Sequence, residues 1–141
     1  MKILLPVDGS KSSLNAVKYV AKLATNSRSP VKVTLVSVHD DIGLGHVKQF
    51  VSKSVVDDYL REVSEKDLKP AQKVLDTARV KHNMVIKRGH IAEEIIAQAN
   101  KDKVDVIVMG AKGRGGILDV IMGSVAQRVS SSAKQPVLLV K

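Results

Sequence analysis

The sequence predicts an α/β protein, a doubly wound five-stranded parallel sheet of Rossmann-like form with helices on both faces. Three observations carry this. Short β-branched runs alternate with segments of helical period in the order β-α-β-α-β-α-β-α-β, and right-handed crossovers leave few other ways to pack such an alternation. The fourth and fifth runs, Val104–Met109 and Pro136–Val140, are almost wholly apolar, as strands covered on both faces should be. The fourth run then feeds a glycine-rich connection, GAKGRGGILDVIMGS from Gly110 to Ser124, that leads into the last helix. A strand, a glycine loop and a helix start in that order commonly cradle phosphate.

The elements follow in turn. Residues 2–8 (KILLPVD) form a short β-like run ending at Asp8-Gly9-Ser10. Residues 11–25 place Leu14, Val17, Val20, Ala21 and Ala24 at spacings of three and four, an amphipathic helix. Asn26 to Pro30 is turn chemistry, and Val31 to Val38 is a second strand. After a loop with Gly43 and Gly45, apolar residues from Phe50 and Val51 through Leu75 and Ala78 keep a helical period. Pro70 should kink or divide that helix near Lys66–Lys69, because proline removes a helical N–H. His82 to Arg88 is a third strand and Gly89 opens the turn to a helix over Ile91–Asn100. Val104–Met109 is the fourth strand, Ser124–Ala133 the last helix and Pro136–Val140 the fifth strand.

Composition narrows the class. A chain of 141 residues, 44% hydrophobic and 26% charged, fits one globular domain over residues 1–141 with enough length to bury a core. No apolar run approaches a membrane span, and Asp8 interrupts the N-terminal apolar run too early for a signal peptide. Cysteine is absent, which removes disulfides and thiolate metal sites; a cytoplasmic location is expected. The formal net charge of +9 favours anionic ligands. The basic residues are scattered, however, and Tyr19, Phe50 and Tyr59 are the whole aromatic set. Specific nucleic-acid binding is not expected without aromatics interleaved with a basic cluster.

In open sheets of this kind ligands lie beyond the carboxyl ends of the strands, and Asp8, Val38 and Met109-Gly110 all sit at such ends. One crevice should collect them. Four glycines in the seven residues from Gly110 to Gly116 suit a backbone that turns sharply against a ligand. Ser124-Val125-Ala126-Gln127 also fits a capping box, with the Ser124 hydroxyl on a first-turn N–H and Gln127 reaching back. Asp8 suits either a ligand contact or a cap for the following helix. His39, His46, His82 and His90 lack paired metal spacing and read as surface or turn residues. Asp40-Asp41 reads as a loop acid pair. A phosphorylated receiver is disfavoured because Arg88-Gly89 stands where its acceptor would be, and no Walker loop occurs.

At this point the chain resembles the universal stress protein family over essentially its whole length. The resemblance lies in Ile3-Leu4-Leu5-Pro6-Val7-Asp8-Gly9-Ser10, in Val104–Met109, in Gly110-x2-Gly113-x9-Gly123-Ser124, and in Ser124–Val129 through Pro136–Val140. The glycine spacing marks the family's ATP-binding branch. The resemblance implies a homodimer and ATP, with or without Mg²⁺, at the carboxyl ends of strands 1 and 4. It implies Pro6, Val7 and Asp8 near adenine and ribose, Val38 backbone groups at the adenine edge, and Met109 and Gly110 near base and ribose. Gly113, Gly123, Ser124, Val125 and Ala126 would surround the phosphates, with Lys112 and Arg114 as additions from the loop. Where some members carry a hydroxyl this chain has Ala126, so one contact falls to a backbone N–H.

The expected function is that of an ATP-binding stress-response or regulatory protein in which occupancy of the glycine loop controls a dimer or partner surface. It is not read as an enzyme, since no group presents itself to position water against a γ-phosphate. A slow Mg²⁺-dependent ATP hydrolase and a nucleotide-independent interaction module are the alternatives. Val137-Leu138-Leu139-Val140, an apolar strand at a sheet edge, is the expected homodimer contact.

Overall fold

The computed structural model describes residues 1–40, 52–114 and 121–141. Its elements are β1 (Lys2–Pro6), α1 (Lys11–Asn26), β2 (Lys32–His39), α2 (Lys53–Thr77), β3 (Lys81–Arg88), α3 (Ile91–Asp102), β4 (Val106–Gly110), α4 (Ser124–Ser132) and β5 (Val137–Val140). The five strands form one sheet in the order β3-β2-β1-β4-β5, and every pairing is parallel. Winding runs outward from β1 through β2 to β3, then returns to the other side of β1 for β4 and β5. The direction therefore reverses between β1 and β4, the place where such sheets open a crevice.

Alternate residues of each strand feed two cores. Ile3, Leu5, Val33 and Leu35 pack with Val17 and Val20 of α1 and Leu68 and Leu75 of α2. Leu4, Val36, Ile107 and Met109 pack on the other face with Ile95 and Ala99 of α3 and Val129 of α4. Leu4, Leu5, Leu35 and Leu75 are fully buried, each contributing about 1.5–3 kcal/mol of transfer free energy. Among the described residues no helix is long and apolar enough to cross a membrane.

The long helix is not divided at Pro70, and the fourth strand starts later than expected. Pro70 lies inside α2, which runs unbroken from Lys53 to Thr77. Pro70 and Lys66, whose carbonyl loses its helical partner, are both on the exposed side, so water can satisfy that carbonyl. Leu68, Ala71 and Leu75 anchor the helix around the proline, and burial outweighs the local loss. The fourth strand begins at Val106 rather than Val104. The Val104 N–H donates to the Ala99 carbonyl at 3.1 Å, after Lys103 closes α3 in the left-handed region at φ 51°. Of the long helical pattern, Phe50 and Val51 lie outside the described residues, as do Gly43, Gly45, His46 and Asp41.

Candidate functional site

A cavity of about 530 Å³ opens over the carboxyl ends of β1, β2 and β4. Each strand end reaches it differently. β1 stops at Pro6, and Val7 makes one last bond, its N–H donating to the Val36 carbonyl at 2.9 Å. Val38 shares the parity of Val36, so its own N–H and C=O face the side from which β1 has already departed. They are aimed into the opening. β4 ends with Met109, 5% exposed, and Gly110, which pairs with Val140.

All twelve residues nominated from sequence line this cavity: Pro6, Val7, Asp8, Val38, Met109, Gly110, Gly113, Arg114, Gly123, Ser124, Val125 and Ala126, with Lys112 beside them. Gly115 and Gly116 lie outside the described residues. The apolar wall includes Ile91 and Ile95 of α3, which the sequence reading had assigned only to a helix. Their four-residue spacing is also that of an ordinary core stripe, so nothing marked them for a site.

The start of α4 departs from the capping box. Its N-cap is Gly123, and no side chain caps it. The Gly123 N–H donates to the Ala111 carbonyl at 2.7 Å, while the Gln127 N–H already closes the first helical bond on the Gly123 carbonyl at 3.0 Å. The N–H groups of Ser124, Val125 and Ala126 belong to the first turn and have no acceptor within the helix. All three residues line the cavity. Positive helix potential and unused donors thus meet at one wall.

Asp8 is not the cap of α1. That role falls to Ser10, whose Oγ accepts from the Ser13 N–H at 3.1 Å. One oxygen of Asp8 accepts from the Ser10 N–H at 2.9 Å. The other faces the glycine loop, since a Cβ on Gly113 would lie 3.3 Å from it. Gly110 serves packing more than ligand approach. A Cβ there would sit 2.6 Å from Ser12 Oγ and 2.7 Å from the backbone of Ser12 and Ser13, so its missing side chain admits the first turn of α1.

Hydrogen bonds bind this region together. The Ser12 hydroxyl donates to the Val140 carbonyl at 2.9 Å and receives the Lys112 N–H at 3.3 Å. The Ala111 N–H donates to the same Val140 carbonyl at 2.7 Å.

The sequence passes over Asp67 and misplaces His39 and His82. Asp67 of α2 lines the cavity with its side chain only 4% exposed, and it accepts from Arg114 Nη2 at 2.7 Å. Above them Gly9 adopts φ +80°, and a Cβ there would fall on the Asp67 carboxylate and the Arg114 guanidinium. His39, read as a surface residue, lies half-buried at the cavity, its Nε2 3.3 Å from Ser37 Oγ. Burial pushes its pKa below the ordinary 6.5; Asp67 opposes that shift and Arg114 assists it. His82 is likewise no surface residue. It stands in β3 with a side chain 12% exposed, Nδ1 2.8 Å from the Val80 carbonyl and Nε2 3.5 Å from Asp76. His90 is exposed at the start of α3, as expected. Among the described residues no group of three His, Cys, Asp or Glu could hold a metal ion.

A doubly wound domain with its crevice at the β1/β4 reversal and a helix N-terminus in the wall has the form of an anion- or nucleotide-holding α/β fold. The chain belongs to the universal stress protein family, whose model matches residues 1–141. It is 35% identical over 141 residues to universal stress protein MJ0531 of Methanocaldococcus jannaschii, covering 99% of this chain and 81% of that one. Protein MJ0577 of the same organism, known from a solved structure, superposes with a TM-score of 0.87 at 29% identity, covering 99% of this chain and 94% of its own. A universal stress protein from Archaeoglobus fulgidus solved in complex with dAMP shares the fold at a TM-score of 0.68 and 22% identity, covering 100% and 98%.

Proposed function

We propose that this chain is an ATP-binding stress-response protein whose occupancy state is read by its dimer or partner surface. One observation carries the reading: the unpaired first-turn N–H groups of α4 line the same cavity as the free backbone edge of Val38. The first suits a phosphate tail. The second suits the hydrogen-bonding edge of adenine, with Val38, Ile91, Ile95 and Met109 as apolar walls for the ring. A volume of about 530 Å³ falls within the ordinary range for small-ligand sites. The family relative held with dAMP makes adenylates the natural ligand class to test.

The affinity has to be shared. An exposed helix terminus contributes about 0.3–1 kcal/mol and a charge-assisted hydrogen bond about 1.5–3 kcal/mol, whereas micromolar binding needs about 8 kcal/mol after association costs. Phosphate contacts and base burial act together. We propose binding without turnover, and Asp8, with one oxygen on the Ser10 N–H and the other toward the glycine loop, is the acid whose substitution tests this. Mg²⁺, if it accompanies ATP, meets the protein through water at Asp8. The homodimer forms along β5, the sheet edge that exposes Leu138 at 39%, and the protein works in the cytoplasm.

The test has two parts. Freshly purified protein is denatured and the released small molecules are separated by chromatography. The protein and a Gly123→Val variant are then titrated with ATP by calorimetry. The wild-type protein should bind at micromolar ligand, and the valine, whose Cβ would lie 3.3 Å from the Gly113 backbone N and 3.5 Å from the Ala111 carbonyl, should displace the glycine loop and weaken binding about a hundredfold, the worth of one or two charge-assisted hydrogen bonds. Absence of heat with ATP, ADP and AMP at millimolar concentration would refute the proposal. Phosphate release proportional to protein and abolished by Asp8→Ala would replace binding with hydrolysis.

A further inference from the structure

The other end of the sheet carries a row of charge that the cleft does not use. β1, β2 and β3 each begin with lysine, and the three are in register, Lys2 opposite Lys32 and Lys32 opposite Lys81. In-register neighbours on parallel strands project to the same face about 4.8 Å apart. That face is the one covered by α3, because Leu4, Val36 and Val85 on the same parity pack against it. The end of α3 adds Lys101 and Lys103, and these with Lys2 and Lys32 line a cavity of about 290 Å³. Its floor is polar: Thr34, 7% exposed, donates its hydroxyl to Asn83 Oδ1 at 3.0 Å.

Asp102 is the one carboxylate in the lining, against the four lysines Lys2, Lys32, Lys101 and Lys103, so the cavity keeps a surplus of positive charge. Asp105 spends Oδ2 on the backbone N–H of Lys2 at 2.7 Å. Asp102 takes its bond from Gln98 Nε2 at 2.8 Å, and the Lys2 ammonium reaches only the Asp102 backbone carbonyl at 3.5 Å. Among the described residues, none of the five lysines forms an ion pair with a carboxylate. The α3 terminus favours cations and so accounts for Lys101 and Lys103. It gives no reason for three lysines abreast on adjoining strands, where like charges directly opposite each other destabilise a sheet.

We infer that this basic cavity is a second ligand site, for a compact oligophosphate anion, at the end of the sheet opposite the nucleotide cleft. Its size and polar floor, with no aromatic residue in the lining, leave no seat for a nucleobase. The donors are lysine ammonium groups, point charges that suit a multiply charged tetrahedral anion, and not the planar fork by which arginine grips a carboxylate. Pyrophosphate is the smallest such ligand, and the end of a longer phosphate chain offers the same chemistry.

Inorganic pyrophosphate is the probe, added to isotopically labelled protein at low ionic strength with backbone amide resonances as the readout. The amides of Thr34, Asn83 and Lys103 should shift with saturation, and a Lys32→Gln/Lys101→Gln variant should bind about tenfold or more weakly while its ATP affinity is unchanged. Tripolyphosphate binding more tightly than pyrophosphate identifies a longer chain as the source; equal affinities identify the short anion. In anion-free buffer Lys32→Gln alone should raise Tm by relieving the row, and a fall in Tm would overturn the inference. So would shifts confined to Gly113 and Ser124, or binding untouched by the double substitution. Because the two cavities are tested by different amides, failure of ATP binding leaves this site standing, and the reverse holds.

Discussion

The Asp67–Arg114 pair is lopsided, and its two halves should therefore respond unequally to mutation. The contact is 2.7 Å, with the carboxylate 4% exposed and the guanidinium 60% exposed. At an effective dielectric near 20 the gross attraction at that distance is about 6 kcal/mol, but water around the exposed arginine screens much of it. What matters is which charge is left behind. Arg114→Gln strands a buried carboxylate that has lost its charged donor, at a cost of about 1–3 kcal/mol. Asp67→Asn leaves a neutral amide that still accepts from Arg114, and the cation keeps its solvent, so the loss should stay under about 1 kcal/mol. Urea denaturation of the two single variants and the double variant measures all of this, the double-mutant cycle giving the coupling directly. If Asp67→Asn costs as much as Arg114→Gln, the asymmetry of burial is not what governs the pair, and the reasoning fails.

Two further outcomes follow from the same region. His39 has its pKa lowered from 6.5 chiefly by burial, so below that value the unfolded chain binds a proton that the folded ring resists. Stability should be level above about pH 7 and fall as pH drops through the window beneath 6.5; urea midpoints across about pH 5–8 should show a slope that His39→Gln reduces, and an unchanged slope in the variant would count against the assignment. Gly110→Ala places a methyl within 2.7 Å of the Ser12 and Ser13 backbone, and backbone cannot step aside as a side chain can. A loss of about 1–3 kcal/mol is expected by thermal or urea unfolding, and a neutral substitution would show that α1 is free to shift.

Much of this arrangement was legible in the residues because periodicity reports burial directly. Alternation of strand and helix patterns predicts the nine elements, and the apolar character of Val106–Met109 follows from its interior place in the sheet, between β1 and β5. The lining of the crevice was legible too, since strand ends and a glycine loop have fixed places in a doubly wound topology. Other features depend on what a residue meets in space. Asp67 lies in a helix with many exposed charges, and only folding turns its carboxylate under Gly9 toward Arg114. Pro70 looks like a break until Leu68 and Leu75 are seen buried on either side. Ser124 has the sequence of a cap, but the helix starts one residue earlier in effect, with Gly123 held by Ala111. The lysines at 2, 32 and 81 are scattered along the chain, and only strand register lines them up.

The Val140 carbonyl oxygen, at the tip of the outermost strand, receives both the Ala111 amide and the Ser12 hydroxyl. One acceptor thus ties together the margin of the sheet, the opening turn of α1 and the root of the glycine loop. Any displacement of that one peptide plane would carry the strand margin, the helix start and the root of the loop with it.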